Sequence, residues 1–247
     1  MLALLFLMVG CDSEDLGAST PQTPSIVDIV TQVTALSTLS AGVQQAGLAD
    51  DLQGDGLTLF APVDAAFDPL DTSTLLASQN EELLTEVLTY HVVPQEITSA
   101  DIQDGMTVTT LEGDELTFGV SNGTVTVNGA TVTNPNVTAS NGVVHVIDGV
   151  LLETVDAVDR ADLTPQFTVL RRLIGEAGLQ STLRGLGPNT TEGLTIFAPT
   201  NTALRGALDA NGNGRIEDSE IPANLADILS YHVLDSVFFA GDVPTTA

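Results

Sequence analysis

The sequence predicts an α+β protein: a tandem repeat of one module in which helices pack on a β-sandwich or sheet. Two observations carry this. The segment Thr58-Leu59-Phe60-Ala61-Pro62-Val63-Asp64-Ala65-Ala66-Phe67 recurs as Thr195-Ile196-Phe197-Ala198-Pro199-Thr200-Asn201-Thr202-Ala203-Leu204, and Leu88-Thr89-Tyr90-His91-Val92-Val93 recurs as Leu229-Ser230-Tyr231-His232-Val233-Leu234. With Ala46-Gly47-Leu48 matching Ala177-Gly178-Leu179, three separated motifs keep one order, which marks a duplication. Within the first copy, the apolar pattern changes from helical to strand-like spacing after Val92.

In chain order, Ile26, Ile29, Val30, Val33 and Leu36 fall at helical spacing, with Ser25 placed to cap the start. A short buried strand over 57–61 is ended by Pro62, and Asp64 offers an N-cap to a short helix through Phe67. A second helix is expected over 80–90, with Leu83, Leu84, Val87 and Leu88 as its apolar face. Strands are then predicted at 106–111, 115–118, 124–127, 130–133 and 143–147. Asn122-Gly123, Asn128-Gly129 and Asn141-Gly142 separate several of them as hairpin signals.

At this point the first copy resembles the fasciclin (FAS1) family. Phe60-Ala61-Pro62 with Asp64 to Phe67 is similar to the family's first box, and Tyr90-His91-Val92-Val93 to its central Tyr-His motif. Residues 141–151 are similar to its second box. Copy one spans 25–153 and is complete by this measure. Copy two spans 156–247 and matches through Tyr231-His232-Val233, after which only 14 residues follow, against some 60 in copy one. The expectation is a partial second module in a chain that continues past Ala247.

The N-terminal residues carry a different signal. Residues 1–10 are unbroken apolar, too short to span a bilayer but suited to a signal-peptide core. Leu7-Met8-Val9-Gly10-Cys11 resembles the lipobox of bacterial lipoproteins, which implies a signal peptide over 1–11 and two acyl chains at Cys11. Two chains anchor stably where one does not. Residues 12–24 read as a flexible acidic and Ser/Thr/Pro tether. No Lys or Arg precedes the apolar run, so the true start is expected upstream of Met1.

Charge narrows the partners. The chain has 33 acidic residues against six basic ones, all Arg, for a formal net charge of −27. Nucleic acid is excluded as a partner because both are polyanions. Excess acid suits cation binding or a surface kept soluble in salt. One stretch is specific: 209–220 reads as a twelve-residue EF-hand-like loop. Ca²⁺ needs six to eight oxygens from a tightly wound loop. Asp209, Asn211 and Asn213 occupy its first, third and fifth positions, and Gly214 turns the chain at the sixth. Arg215 supplies a carbonyl, Ile216 is the apolar anchor, Glu217 acts through water and Glu220 would bind bidentately. Two amides in the donor set predict a weak site, on the order of 0.1–1 mM.

His91, His145 and His232 have no nucleophile motif beside them, and Cys11 is the only cysteine. They read as core residues bonded to backbone, and no catalytic residues are assigned. The family resemblance further implies Tyr90, His91, Tyr231 and His232 as partner-binding residues. The function expected is a non-catalytic, calcium-stabilised protein of the cell envelope facing the periplasm or exterior. It would be lipid-anchored and mediate adhesion or matrix interaction with a protein or polysaccharide. The alternative is an envelope lipoprotein that is structural, or binds glycans or small molecules, without an adhesive role.

Overall fold

The computed structural model describes residues 22–152, 155–184, 195–234 and 236. The leader, Cys11 and the tether through residue 21 lie outside them. The first helix, α1 (Ile26–Gln32), opens with a reciprocal capping box: the Asp28 amide donates to Ser25 Oγ (3.1 Å) and the Ser25 amide to the Asp28 carboxylate (2.9 Å). The helical spacing that reached Leu36 does not produce one helix. The chain leaves helical geometry at Val33 (φ −85°, ψ 112°), makes a 3₁₀ turn and restarts as α2 (Ser37–Gln45), with a 98° bend between the two.

Asp64 explains where α2 begins, and corrects one expectation. The 3₁₀ turn Asp64–Phe67 receives no side-chain cap. The Asp64 carboxylate instead reaches back to α2, accepting from the Thr38 amide (2.8 Å) and Ser37 Oγ (2.7 Å). Local spacing suggested a cap for the residues that follow. The tertiary fold gives those acceptor oxygens to one orphan amide and one hydroxyl in the first turn of another helix.

A short helix α3 (Thr72–Leu75) precedes α4 (Glu81–Tyr90), which takes the place predicted for it. The strands are β1 (Leu57–Pro62), β2 (Val92–Val93), β3 (Thr107–Thr109), β4 (Glu115–Ser121), β5 (Thr124–Val127), β6 (Ala130–Ala139) and β7 (Gly142–Ile147). They form one sheet in the order β2-β1-β7-β6-β5-β4-β3, parallel only between β1 and β7. Asn122-Gly123 and Asn128-Gly129 form two-residue turns with every φ between 45° and 82°, the left-handed pair a primed hairpin turn requires. Asn141-Gly142 behaves differently. Ala139 pairs with Gly142, so the turn is Ser140-Asn141. The buried Asn141 amide is a clamp, accepting from the Ile26 amide (3.0 Å) and donating to Leu52 O (2.8 Å) and Gly54 O (3.0 Å).

Two apolar clusters fill this module. One joins α1, α2 and α4 to β1 and β7; the other joins Phe60, Tyr90, Phe118 and Ile147 with β4 and β5. The pattern is that of a helical layer on a sheet, the sheet folding back to bury its other face.

The second copy repeats the front half: α5 (Ala157–Leu163), α6 (Thr168–Glu176), α7 (Gln180–Arg184), β8 (Thr195–Ile196), α8 (Asn201–Leu208), α9 (Leu225–Ser230) and β9 (Val233–Leu234). Among the described residues its sheet is the antiparallel pair β8-β9, around a cluster that includes Leu170, Leu173, Ile174, Ile216 and Leu229. Asn201 stands where Asp64 does and acts alike, its Oδ1 accepting from the Val169 amide (2.9 Å). Helix α5 belongs to both modules: Val158 lies in the second core, while Leu163 is fully buried in the first and its carbonyl accepts from the Asp71 amide (2.6 Å).

Candidate functional site

The three motifs of copy one meet on the parallel β1·β7 pair. Phe60, on β1, stacks on the His145 ring from β7 (centroids 5.4 Å, 17°) and tilts against Phe118 (5.6 Å, 50°). Such ring pairs contribute about 0.5–1.5 kcal/mol beyond the area they bury. His145 Nε2 donates to Ile97 O (2.8 Å), and its Nδ1 faces the Asn136 amide (3.4 Å). Tyr90 ends α4 with its hydroxyl donating to Glu115 O (2.9 Å), while Asn128 Nδ2 donates to the Tyr90 hydroxyl oxygen (2.6 Å). His91 Nδ1 donates to Val87 O (2.7 Å) and Nε2 accepts from the Leu151 amide (3.0 Å).

Each imidazole thus has one nitrogen as donor and one as acceptor, the neutral form in a single tautomer. Burial pushes His91 down to about 4, against the pull of the Val87 carbonyl, and lowers His145 in the same way. These rings are structural pins. His91 ties the end of α4 to the chain that leaves β7, and His145 ties β7 to the segment around Ile97.

That geometry corrects half of the partner-binding assignment. Tyr90 and His91 are each 1% exposed, and their polar atoms already face backbone or Asn128, so a partner cannot reach them in the folded module. Their counterparts in copy two keep the local bonds: the Phe197 amide donates to His232 O as Phe60 does to His91 O (2.9 Å each), and His232 Nδ1 donates to Ile228 O (2.8 Å). Their exposure differs. Tyr231 is 89% exposed and Phe197 54%, where Tyr90 and Phe60 are buried by β4 to β7. The Asp64/Asn201 clamp was missed in the sequence, although both copies carry a short side-chain oxygen acceptor at the same place in the first box.

The 209–220 loop is tightly wound on its own oxygens. Gly212 and Gly214 take φ of +72° and +80°. Asp209 accepts from the amides of Asn213 (3.1 Å) and Gly214 (2.7 Å), and Asn211 Oδ1 also accepts from Asn213 (2.9 Å). Asn213 Oδ1 accepts from the Arg215 amide (2.8 Å), and its Nδ2 donates to Glu217 Oε1 (2.9 Å). Glu220 turns back into the loop, its two oxygens accepting from the amides of Asn211 (3.1 Å) and Glu217 (2.9 Å). Among the described residues no three His, Cys, Asp or Glu side chains converge to hold a metal. The oxygens the loop could offer a cation are those of two carboxylates, two side-chain amides and a carbonyl, with Glu217 beside them. An all-oxygen set of that kind fits a hard cation such as Ca²⁺ and suits neither zinc nor a softer metal.

Comparison with known proteins places these motifs. The model of the fasciclin domain matches residues 34–153 and 165–247. The chain is 45% identical over 139 residues to protein sll1483 of Synechocystis, covering 55% of this chain and 77% of that one. It is 31% identical over 217 residues to the transforming growth factor-beta-induced protein ig-h3 of Oryctolagus cuniculus, covering 85% of this chain and 31% of that longer protein. Among solved structures, a domain pair from the insect cell adhesion molecule fasciclin I matches at 19% identity with a TM-score of 0.40, covering 85% of this chain and 76% of that one.

Proposed function

This chain belongs to the fasciclin domain family, and from that premise we propose that it is a non-catalytic adhesion or matrix-interaction protein of the cell envelope, held at a membrane through Cys11 and facing outward. The observation that supports this reading most is the fate of the motif side chains. Tyr90, His91 and His145 are engaged in backbone bonds inside the core, so the motif polar groups of copy one build a rigid module. What such a module offers a partner is its outer surface, which in this chain is strongly acidic. A partner that presents cationic groups or bridging calcium suits that surface.

Binding of the full chain to whole cells and to immobilised polysaccharides, with and without Ca²⁺, tests the proposal. Saturable retention on either supports it, and cells versus polysaccharide separates adhesion from glycan binding in the envelope. Reproducible turnover of any substrate at the module surface would overturn it.

The proposal includes calcium at 209–220. Asp209, Asn211, Asn213, the Arg215 carbonyl and Glu220 would hold the ion, with Glu217 joining through water, and occupancy would stiffen the second module. At 10 mM Ca²⁺ a site of the predicted affinity adds about 1.4–2.7 kcal/mol to the stability of the folded form. Calorimetric titration is expected to show saturable binding that Glu220→Gln removes. A wild-type chain silent up to about 10 mM, well above the range of extracellular sites, would reduce the loop to a turn.

A further inference from the structure

Arg172 stands outside the twelve residues of the loop, on α6, yet its guanidinium is directed into them. Nη1 donates to Ile216 O (2.7 Å), Nη2 pairs with Asp218 Oδ1 (3.2 Å), and Nε bonds Glu176 Oε1 on its own helix (2.7 Å). All three nitrogens are engaged. Beneath them the Ile216 side chain is buried in the same cluster as Leu173 and Ile174, the residues that follow Arg172 on α6.

We propose that Arg172 is the positioning residue of the cation loop, seating its C-terminal half on α6 so that its donors face inward. The inference rests on the calcium reading above. Ile216 lies between Arg215, whose carbonyl is a donor, and Glu217, the donor that acts through water. Fixing the Ile216 carbonyl fixes the peptide plane it shares with Glu217, while the buried Ile216 side chain restrains the preceding plane that carries the Arg215 carbonyl, and Glu220 follows one turn later. The ion pairs themselves carry little of this, because Asp218 is 97% exposed and exposed pairs are weak. The directional bond to the Ile216 carbonyl carries it, and that bond needs the fixed fork that Arg has and Lys lacks.

Electrostatics makes the effect separable. A guanidinium beside a calcium site repels the ion, so removing the charge alone would tighten binding. Weaker binding on removal, with calcium-free stability unchanged, therefore reports lost positioning. Calcium titration of the full chain is therefore made on the wild type, Arg172→Lys, Arg172→Gln and Glu220→Gln, with calcium-free thermal unfolding by circular dichroism alongside. The expected result is about fivefold weaker binding in both Arg172 variants, the loss of one directional hydrogen bond. Calcium-free unfolding should stay near wild type, and Glu220→Gln should not bind. Unchanged affinity in Arg172→Lys, or tighter binding in Arg172→Gln, overturns the positioning role while leaving the calcium site intact. Absence of binding in the wild type overturns the calcium site and this role with it.

Discussion

Gly142→Ala is expected to cost the first module about 3 kcal/mol or more, the upper end for forcing an added group into a packed interior. Gly142 pairs with Leu57 where the parallel strands β1 and β7 begin. A Cβ there would fall 1.9 Å from the Leu57 carbonyl oxygen and 2.8–2.9 Å from its carbonyl carbon and amide nitrogen. All three are backbone atoms, so no rotamer change relieves the overlap. The strands must part, and with them Asn141 would leave the Ile26 amide and the Leu52 and Gly54 carbonyls. Gly123→Ala is the control. Its φ is +81° but the space around it is open, so it should lose only the roughly 1–2 kcal/mol of a left-handed alanine. Urea unfolding followed by circular dichroism compares them. A Gly142→Ala midpoint no lower than that of Gly123→Ala would show that β1 and β7 do not approach this closely.

The same glycine shows what the sequence could and could not reveal. Its neighbour Asn141 is part of an Asn-Gly pair, and so are Asn122 and Asn128. The latter two sit in the predicted two-residue turns because a primed hairpin depends only on local φ preference. Asn141 has the same local signal, but three backbone groups from distant segments compete for its amide, and they win. Asp64 was misread for the same reason: its nearest amides belong to the turn it begins, its actual partners to a helix 26 residues earlier. Periodicity likewise gave the apolar face of the first helical stretch but not its 98° break, which a β-branched pair (Val33-Thr34) permits and the Asp64 clamp on α2 fixes. The repeat, the positions of most strands and the burial of His91 and His145 against backbone were legible, because each follows from motif recurrence or residue type; His232 keeps its backbone bond but is only half-buried. Which motif residues face a partner was not, since exposure of Tyr90 and Tyr231 differs through what covers them, and their motifs are alike.

Acid is expected to destabilise the first module well before its carboxylates titrate. His91 is buried and neutral, with Nε2 already accepting from the Leu151 amide, so protonation would set two N–H groups against each other. Burial holds it at about 4, against 6.5 for an ordinary histidine. The sign follows directly. Between pH 6.5 and about 4 the unfolded chain takes up a proton that the folded one refuses, so stability is full above 6.5, falls through this window and levels below it. At 1.36 kcal/mol per pH unit the loss is about 3 kcal/mol, and His145, also lowered by burial, adds to it with the same sign. The carboxylates of Asp28, Asp71 and Asp101 are held below 3.8, chiefly by the hydroxyls of Ser25, Ser73 and Thr98. Their contribution is lost only at lower pH, which keeps the two effects apart. Urea midpoints measured at pH 7.5, 5.5 and 4.5 should fall steadily, and the slope should shrink in His91→Gln, whose side chain cannot take up the proton. A wild-type profile flat from pH 6.5 to 4.5 would mean that His91 is charged in the folded state, and the pin between α4 and Leu151 would have to be redrawn around an imidazolium.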